Sequence, residues 1–304
     1  MAVEAFILIL SLLAVGYAFQ RAKVLPENAA DVLNRVVLYL CFPAAILLYL
    51  PRLHLAWGVL WLAATPWLLG VVAWALLWLA QKYFKLGRNV YACLLLCVLL
   101  GNTGFVGYPM VRALAGEQAL AYAVVYDQFG NGLILSTFGM WVCARYSGGT
   151  APSMRFIAKR VLLFPPTVAL ILALTVMPEQ PPGWLGHGLK SLADALLPVV
   201  MLAVGLSLRF HLPAEEIRSL ALGLGLKLLI LPALAFGGSL ALGMRGDMLA
   251  ANVLEAGMPP MITAGILAIS HNLAPRLAAA LVGYGILATM ATVPFWAWLL
   301  RGVG

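Results

Sequence analysis

Apolar positions along this chain gather into about ten blocks, at residues 2–20, 34–50, 55–80, 89–114, 119–144, 161–177, 190–208, 217–243, 247–271 and 277–300. About 20 apolar residues make one membrane-spanning helix, so each block predicts a span, numbered here 1 to 10 in chain order. Two spans carry breaks. Span 4 contains Gly101-Asn102-Thr103-Gly104-Phe105-Val106-Gly107-Tyr108-Pro109, and span 9 contains Glu255-Ala256-Gly257-Met258-Pro259-Pro260. Three glycines and a proline within nine residues are too many breakers for an undisturbed helix. Hydrocarbon offers no water to a freed N–H or C=O, so a broken helix survives there only against protein or a polar cavity. Two interrupted spans at corresponding places in two halves of a chain point to the binding site of a transporter.

Composition supports a membrane protein. Among 304 residues 63% are hydrophobic and 10% charged, whereas a soluble domain carries about 25% charged residues. The net charge of +8 does not mark a nucleic-acid partner, because the basic residues lie in short loops and form no single patch. They act as orientation signals. Loops after spans 1, 3, 5, 7 and 9 hold 13 Lys and Arg, the opposite side holds 5, and Lys227 lies inside span 8. Positive charge favours the cytoplasm, which places both termini outside. The first block, Val3 to Phe19, contains Glu4 and has no basic residue ahead of it. That predicts an uncleaved first span and no signal peptide. Cys41, Cys93, Cys97 and Cys143 all fall within apolar blocks. Cys93 and Cys97 share a helix face, but no further ligand completes a metal set nearby, so they read as small apolar packing residues.

Five spans per half is an odd number, so the halves must cross the membrane in opposite senses. They also echo each other. Phe42-Pro43-Ala44 in span 2 matches Leu197-Pro198-Val199 in span 7, and Arg52-Leu53-His54-Leu55 matches Arg209-Phe210-His211-Leu212. Gly130 and Trp141 in span 5 match Gly285 and Trp296 in span 10, at a common shift of 155 residues. The expected fold is an all-α membrane protein of ten transmembrane helices. They form two inverted five-helix repeats, 1–146 and 155–304, with broken, crossing helices 4 and 9.

In this topology the second halves of spans 4 and 9 start near Pro109 and Pro260, and proline suits a first helical turn. Their free N–H groups and positive dipole ends converge on the bilayer centre, an anion site that needs no basic side chain. The first halves present carbonyls there, which suit a cation, and Glu255 is placed to join them. The glycines can instead serve close helix packing. Asn102 can bond a carboxylate, coordinate a cation or cap the second half-helix. Asp127 and Gln128 lie in span 5, with Asn131 one turn on and on a similar face. A carboxyl at membrane depth is a functional hypothesis by default, with Lys227 as the competing structural partner of Asp127. Asp194 reads as an i, i+4 partner of Lys190. His54, His187, His211 and His271 fall at span ends, where interfacial solvation explains them, and the nine tryptophans read as lipid-facing or interfacial.

The span 4 motif, the span 9 motif and ten spans with outer termini together resemble the auxin efflux carrier family of permeases, which includes plant auxin carriers and bacterial malonate or malate permeases. The resemblance covers the whole chain. It implies a crossover fold similar to bile acid–sodium symporters. Spans 1, 2, 6 and 7 would form the scaffold and the homodimer contact, and spans 3–5 and 8–10 a moving transport domain. The crossover asparagine and proline of the family correspond to Asn102 and Pro109, and its second crossover proline to Pro259 or Pro260. The chain lacks the long central hydrophilic loop of many plant members, and Glu255-Ala256-Gly257-Met258 looks more like the sodium-site helix of the bile acid symporters.

The expected function is secondary active transport of a small organic anion, auxin- or malonate-like, by an elevator mechanism in the cytoplasmic (inner) membrane. Candidate substrate-binding residues are Asn102, Thr103, Gly104, Pro109, Gln128, Asn131, Gly257, Pro259 and Pro260. Glu255 and Asp127 are candidate ion-coupling residues, with Glu255 as a ligand for Na⁺ if Na⁺ rather than H⁺ is the coupling ion. No other cofactor and no nucleic-acid partner are expected. An ATP-driven pump is excluded for this chain alone, because no Gly-x-x-x-x-Gly-Lys-Ser/Thr loop exists. A channel or an uncoupled uniporter is the alternative. An intramembrane aspartyl protease is remote, since Gly283-Tyr284-Gly285-Ile286 has Ile where a second Asp is required.

Overall fold

Long apolar blocks satisfy their own backbone only as helices, and helices are what they form. The computed structural model describes residues 2–53, 57–148, 153–208 and 214–302. His54 and Leu55, Gly149 to Pro152, and Arg209 to Leu212 lie outside the described residues, and with them the matched run ends. The helices are α1 (Ala2–Ala22), α2 (Ala29–Arg52), α3 (Trp57–Phe84), α4 (Arg88–Leu99), α5 (Tyr108–Ala115), α6 (117–147), α7 (Met154–Leu162), α8 (Pro165–Thr175), α9 (Gly183–Ser207), α10 (Ile217–Ala241), α11 (Gly246–Ala256), α12 (Ile262–Ser270) and α13 (Pro275–Arg301). Among the described residues there is no strand, and α2, α3, α9, α10 and α13 are long and apolar enough to cross a membrane.

Two boundaries differ from the sequence expectation. Span 6 is preceded by the separate helix α7, because Pro165 and Pro166 start a new helix at α8. Span 7 begins at Gly183, well before residue 190, since Lys190 and Asp194 pair within the helix and do not end it.

Proline shapes several helices without ending them. Its ring clashes with the carbonyl four residues back and it donates no N–H, so the turn before it widens. Wide π turns run over Val37–Cys41, Thr103–Gly107 and Leu226–Ile230, just ahead of Pro43, Pro109 and Pro232. The carbonyl freed by Pro232 belongs to Leu228, and the Trp296 indole donates to it at 3.0 Å. Trp296 is therefore buried while Trp141 is 44% exposed, so the Gly–Trp match between the halves does not place the two tryptophans alike.

The helices pack in two groups. α1 lies along α9, and both α8 and α9 pack on α2. Gly16 and Gly205 set the closeness of the first pair: a Cβ on Gly16 would stand 2.4 Å from the Leu202 carbonyl oxygen. In the other group α3 packs on α4 and α6, α11 on α6 and α10, and α12 and α13 on α4. α4 is apolar all round and is buried from Tyr91 to Leu99, with Cys93 and Cys97 among the packed side chains. α3 turns Trp57, Trp61, Trp74 and Trp78 outward, as a lipid-facing helix does.

Candidate functional site

The two breaks meet at the centre of the second group. α4 stops at Leu99 and α11 at Ala256, and the unwound stretches beyond them run antiparallel, with Gly101 bridged to Pro260. Asn102 N–H donates to Pro259 O at 2.7 Å, and Met261 N–H donates to Leu100 O at 2.9 Å. Each break thus satisfies the backbone of the other, which is what the hydrocarbon interior requires. Pro259 and Pro260 help by contributing no donor at all.

Asn102 O accepts from both Val106 N–H and Gly107 N–H, so the second half of span 4 is helical from Thr103. Pro109 therefore lies more than a turn inside the helix, away from the free end where the sequence reading put it. The wide turn ahead of Pro109 accounts for the difference. The second half of span 9 does begin just past Pro260, at Ile262. No backbone carbonyl among the described residues accepts from Thr103, Gly104 or Phe105, nor from Ile262, Thr263 or Ala264. These are the free donors of two helix N-termini.

α6 supplies the polar side chains. A wide turn at Asp127–Asn131 brings Asp127, Gln128 and Asn131 against the first break. Asp127 accepts hydrogen bonds from Thr103 Oγ1, from the Tyr108 hydroxyl at 3.0 Å and from Gln128 Nε2 at 3.0 Å. Asn131 Nδ2 donates to Thr103 Oγ1 at 3.0 Å and lies 3.4 Å from Gly101 O. Three donors on one carboxylate fix its orientation, and Lys227 is not among them. The Lys227 ammonium donates instead to Ala256 O at 3.2 Å.

Two buried polar groups at the crossing have no partner. Neither the oxygen nor the nitrogen of the Asn102 amide is hydrogen-bonded, and the side chain does not cap the helix it precedes. The plain capping role weighed for Asn102 is therefore not the one it plays here. Both oxygens of Glu255 also lack a donor, at 0% exposure. Gly107 lies directly against that carboxylate: a Cβ there would fall 2.2 Å from Glu255 Oε2.

A cavity of about 300 Å³ separates this group of helices from α2, α7 and α8. Gly104, Asp127, Gln128, Ser136, Met261 and Thr263 form its site-facing wall, with Phe42 and Phe164 opposite. No Lys or Arg lines it. Of the candidate substrate residues, Gly104 and Gln128 reach the cavity. Asn102, Thr103, Pro109, Asn131, Gly257, Pro259 and Pro260 stand behind its wall, as does Glu255. Ser136 and Thr263 were not anticipated from the sequence, although Thr263 is the first polar residue after the second break.

Along α6 the cavity wall runs from Asp127 to Met140, in the half of that helix that carries Arg145, where Arg88 donates to Arg145 O at 2.9 Å. At the opposite end a charged cluster joins the two helix groups. Arg112, in the last turn of α5, bonds Asp194 of α9, Glu117 at 2.7 Å and Ala193 O at 3.1 Å. Lys190 reaches Glu117 at 3.1 Å and Asp194 at 3.6 Å. The expected Lys190–Asp194 pair is present, and Arg112 completes it across the group boundary.

The family model for membrane transport proteins matches residues 1–297. The chain belongs to the auxin efflux carrier family of membrane transport proteins. It is 31% identical to an uncharacterized transporter of Methanothermobacter thermautotrophicus over 301 residues, 98% of each chain. An uncharacterized transporter of Methanocaldococcus jannaschii shares 27% over 316 residues, again 98% of each, and YfdV of Escherichia coli K12, also an uncharacterized transporter, shares 23% over 96% of each. This family member is thus a helical membrane transport protein, and the crossing of its two broken helices is its candidate transport site.

Proposed function

We propose that the chain is a secondary transporter of a small organic anion, a carboxylate, which it binds in the 300 Å³ cavity at the crossing. The observation that carries this reading is the cavity wall. Gly104 and Thr263, from the first turns of the two second half-helices, line it together with Gln128, and no basic side chain is present. Free backbone N–H groups and positive helix ends are what such a site offers an anion. The opposite wall, with Phe42 and Phe164 and a single hydroxyl residue, Thr167, suits the hydrocarbon part of the substrate.

In this reading the ten spans form two inverted repeats, 1–146 and 155–304. α1, α2, α8 and α9 serve as scaffold and homodimer contact, and the remaining spans move as the transport domain. The packing into two groups with the cavity between them supports an elevator-type exchange. The excess of basic residues in alternate loops supports outer termini and a cavity facing the cytoplasm. Ion coupling falls to the buried carboxylate at the cavity wall, Asp127, which would carry a proton; Glu255, the other coupling candidate, stands behind the wall.

The test is direct binding on purified protein against a panel of small mono- and dicarboxylates. At least one should bind, and Gln128→Ala should weaken it by about 1–3 kcal/mol, the worth of a hydrogen bond to a charged group. A panel without any binder, alongside binding of neutral or cationic solutes, would reject the anion reading.

A further inference from the structure

Lys227 is the one buried basic side chain among the described residues, and the mechanism above does not use it. The wide turn Leu226–Ile230 carries it to the point where both broken helices end. Its Nζ donates to Ala256 O, and it stands 2.9 Å from where a Cβ on Gly101 would be. The other carbonyls of the last turn of α11 are taken. Val253 O and Leu254 O accept from Gly257 N–H, and Glu255 O accepts from Met258 N–H. Lys227 thus caps the remaining one. A helix C-terminus carries partial negative charge and holds a cation favourably, a lysine ammonium included.

The same place is where a free coupling cation would sit. It has the Ala256 carbonyl at the end of α11, the chain of the first break at Gly101, and on the residue next to Ala256 the unbonded carboxylate of Glu255. A Na⁺ entering there would meet an ammonium already bound to the carbonyl it needs. We propose that Lys227 is a built-in counter-ion. Its tethered ammonium occupies, at the two helix C-termini beside Glu255, the position that a free Na⁺ would take, and the protein binds no Na⁺ there. A tethered cation travels with the site and never dissociates, so it cannot draw on a Na⁺ gradient. Transport would then be driven by exchange of substrates or by a proton at Asp127. The inference deepens the transporter reading and depends on it only for that last consequence.

Melting of the purified protein in NaCl, KCl and choline chloride at equal ionic strength tests it. The wild-type melting temperature should be the same in all three salts. Lys227→Met should gain a saturable rise of about 2–4 °C in NaCl or KCl over choline chloride, as a cation takes the vacated place. Lys227→Met/Glu255→Gln should lose that rise. A Na⁺-specific rise in the wild type overturns the proposal, and so does a folded Lys227→Met protein that ignores all cations. If Lys227→Met does not fold, the double variant, which removes both charges, should recover folding, and its failure would also overturn the pairing. These measurements read melting and not uptake, so the carboxylate panel still decides the transport reading separately.

Discussion

At the residue scale, the informative groups are those that break packing rules. A buried amide without partners costs free energy in every state that leaves it empty. Asn102 is such a group, so its removal should not cost stability in the way the loss of a cap does. For Asn102→Ala the expected outcome is an unchanged or slightly raised melting temperature. A lowered melting temperature would return Asn102 to a structural role. Gly107 makes the complementary case, since its missing Cβ is the space that Glu255 fills. Gly107→Ala should lower the melting temperature, and adding Glu255→Ala should restore part of the loss; no recovery in the double variant would mean that the clash lies elsewhere. Asn102, Asp127 and Glu255 were legible in the sequence because polar residues at membrane depth stand out against an apolar background. The site of Lys227 was not, because its neighbour Ala256 is apolar in sequence and offers only a backbone carbonyl.

At the scale of elements, the all-helical, membrane-type character of the chain could be read from the apolar blocks, and the broken helices from glycine and proline. The wide turns could not, because a proline in a helical pattern reads as an end or a kink, and here the helix absorbs it as one extra residue. That shift moved the free helix end from Pro109 back to Thr103. The charged cluster at the far end of α5 was half legible: i, i+4 spacing revealed Lys190 and Asp194, while Arg112 and Glu117 arrive from another group of helices. Burial raises the carboxyl of Glu117, but the hydrogen bonds from Arg112 and Lys190 outweigh it and hold the group at about 2, below its ordinary 4.5. A carboxyl lowered on folding stabilises above its unfolded value and loses that contribution as pH falls through the folded one. The melting difference between wild type and Glu117→Gln should therefore be constant from pH 8 to 5, shrink below about 4.5 and vanish near 2. It should also be small, at most about 1 kcal/mol, because the Glu117 side chain is 47% exposed. A difference that grew as the pH fell would contradict the assigned partners.

For the whole molecule, the two ends differ, and that difference is the conformation. One end holds the cavity between the helix groups, and the other is closed by the Arg112 cluster that ties α5 and α6 to α9. A second hollow of about 770 Å³, lined by Tyr49, Arg52, Glu117, Gln118 and Asp247, lies on the outer side of that closure. Thiol labelling reads this arrangement without knowledge of the substrate, and the native background is quiet because Cys41, Cys93, Cys97 and Cys143 are all buried. With an impermeant reagent, Gln118→Cys should label in intact cells, and Ser147→Cys only in inside-out vesicles. Ser136→Cys, on the cavity wall, should follow Ser147→Cys. The reverse pattern would overturn the orientation taken from the basic loops. If the charged cluster holds this end shut, Arg112→Gln should slow labelling of Ser136→Cys from the cytoplasmic side, as part of the population turns outward. Labelling that Arg112→Gln leaves unchanged, in a protein that still folds, would show that the closure rests on packing between the helix groups and not on these charges.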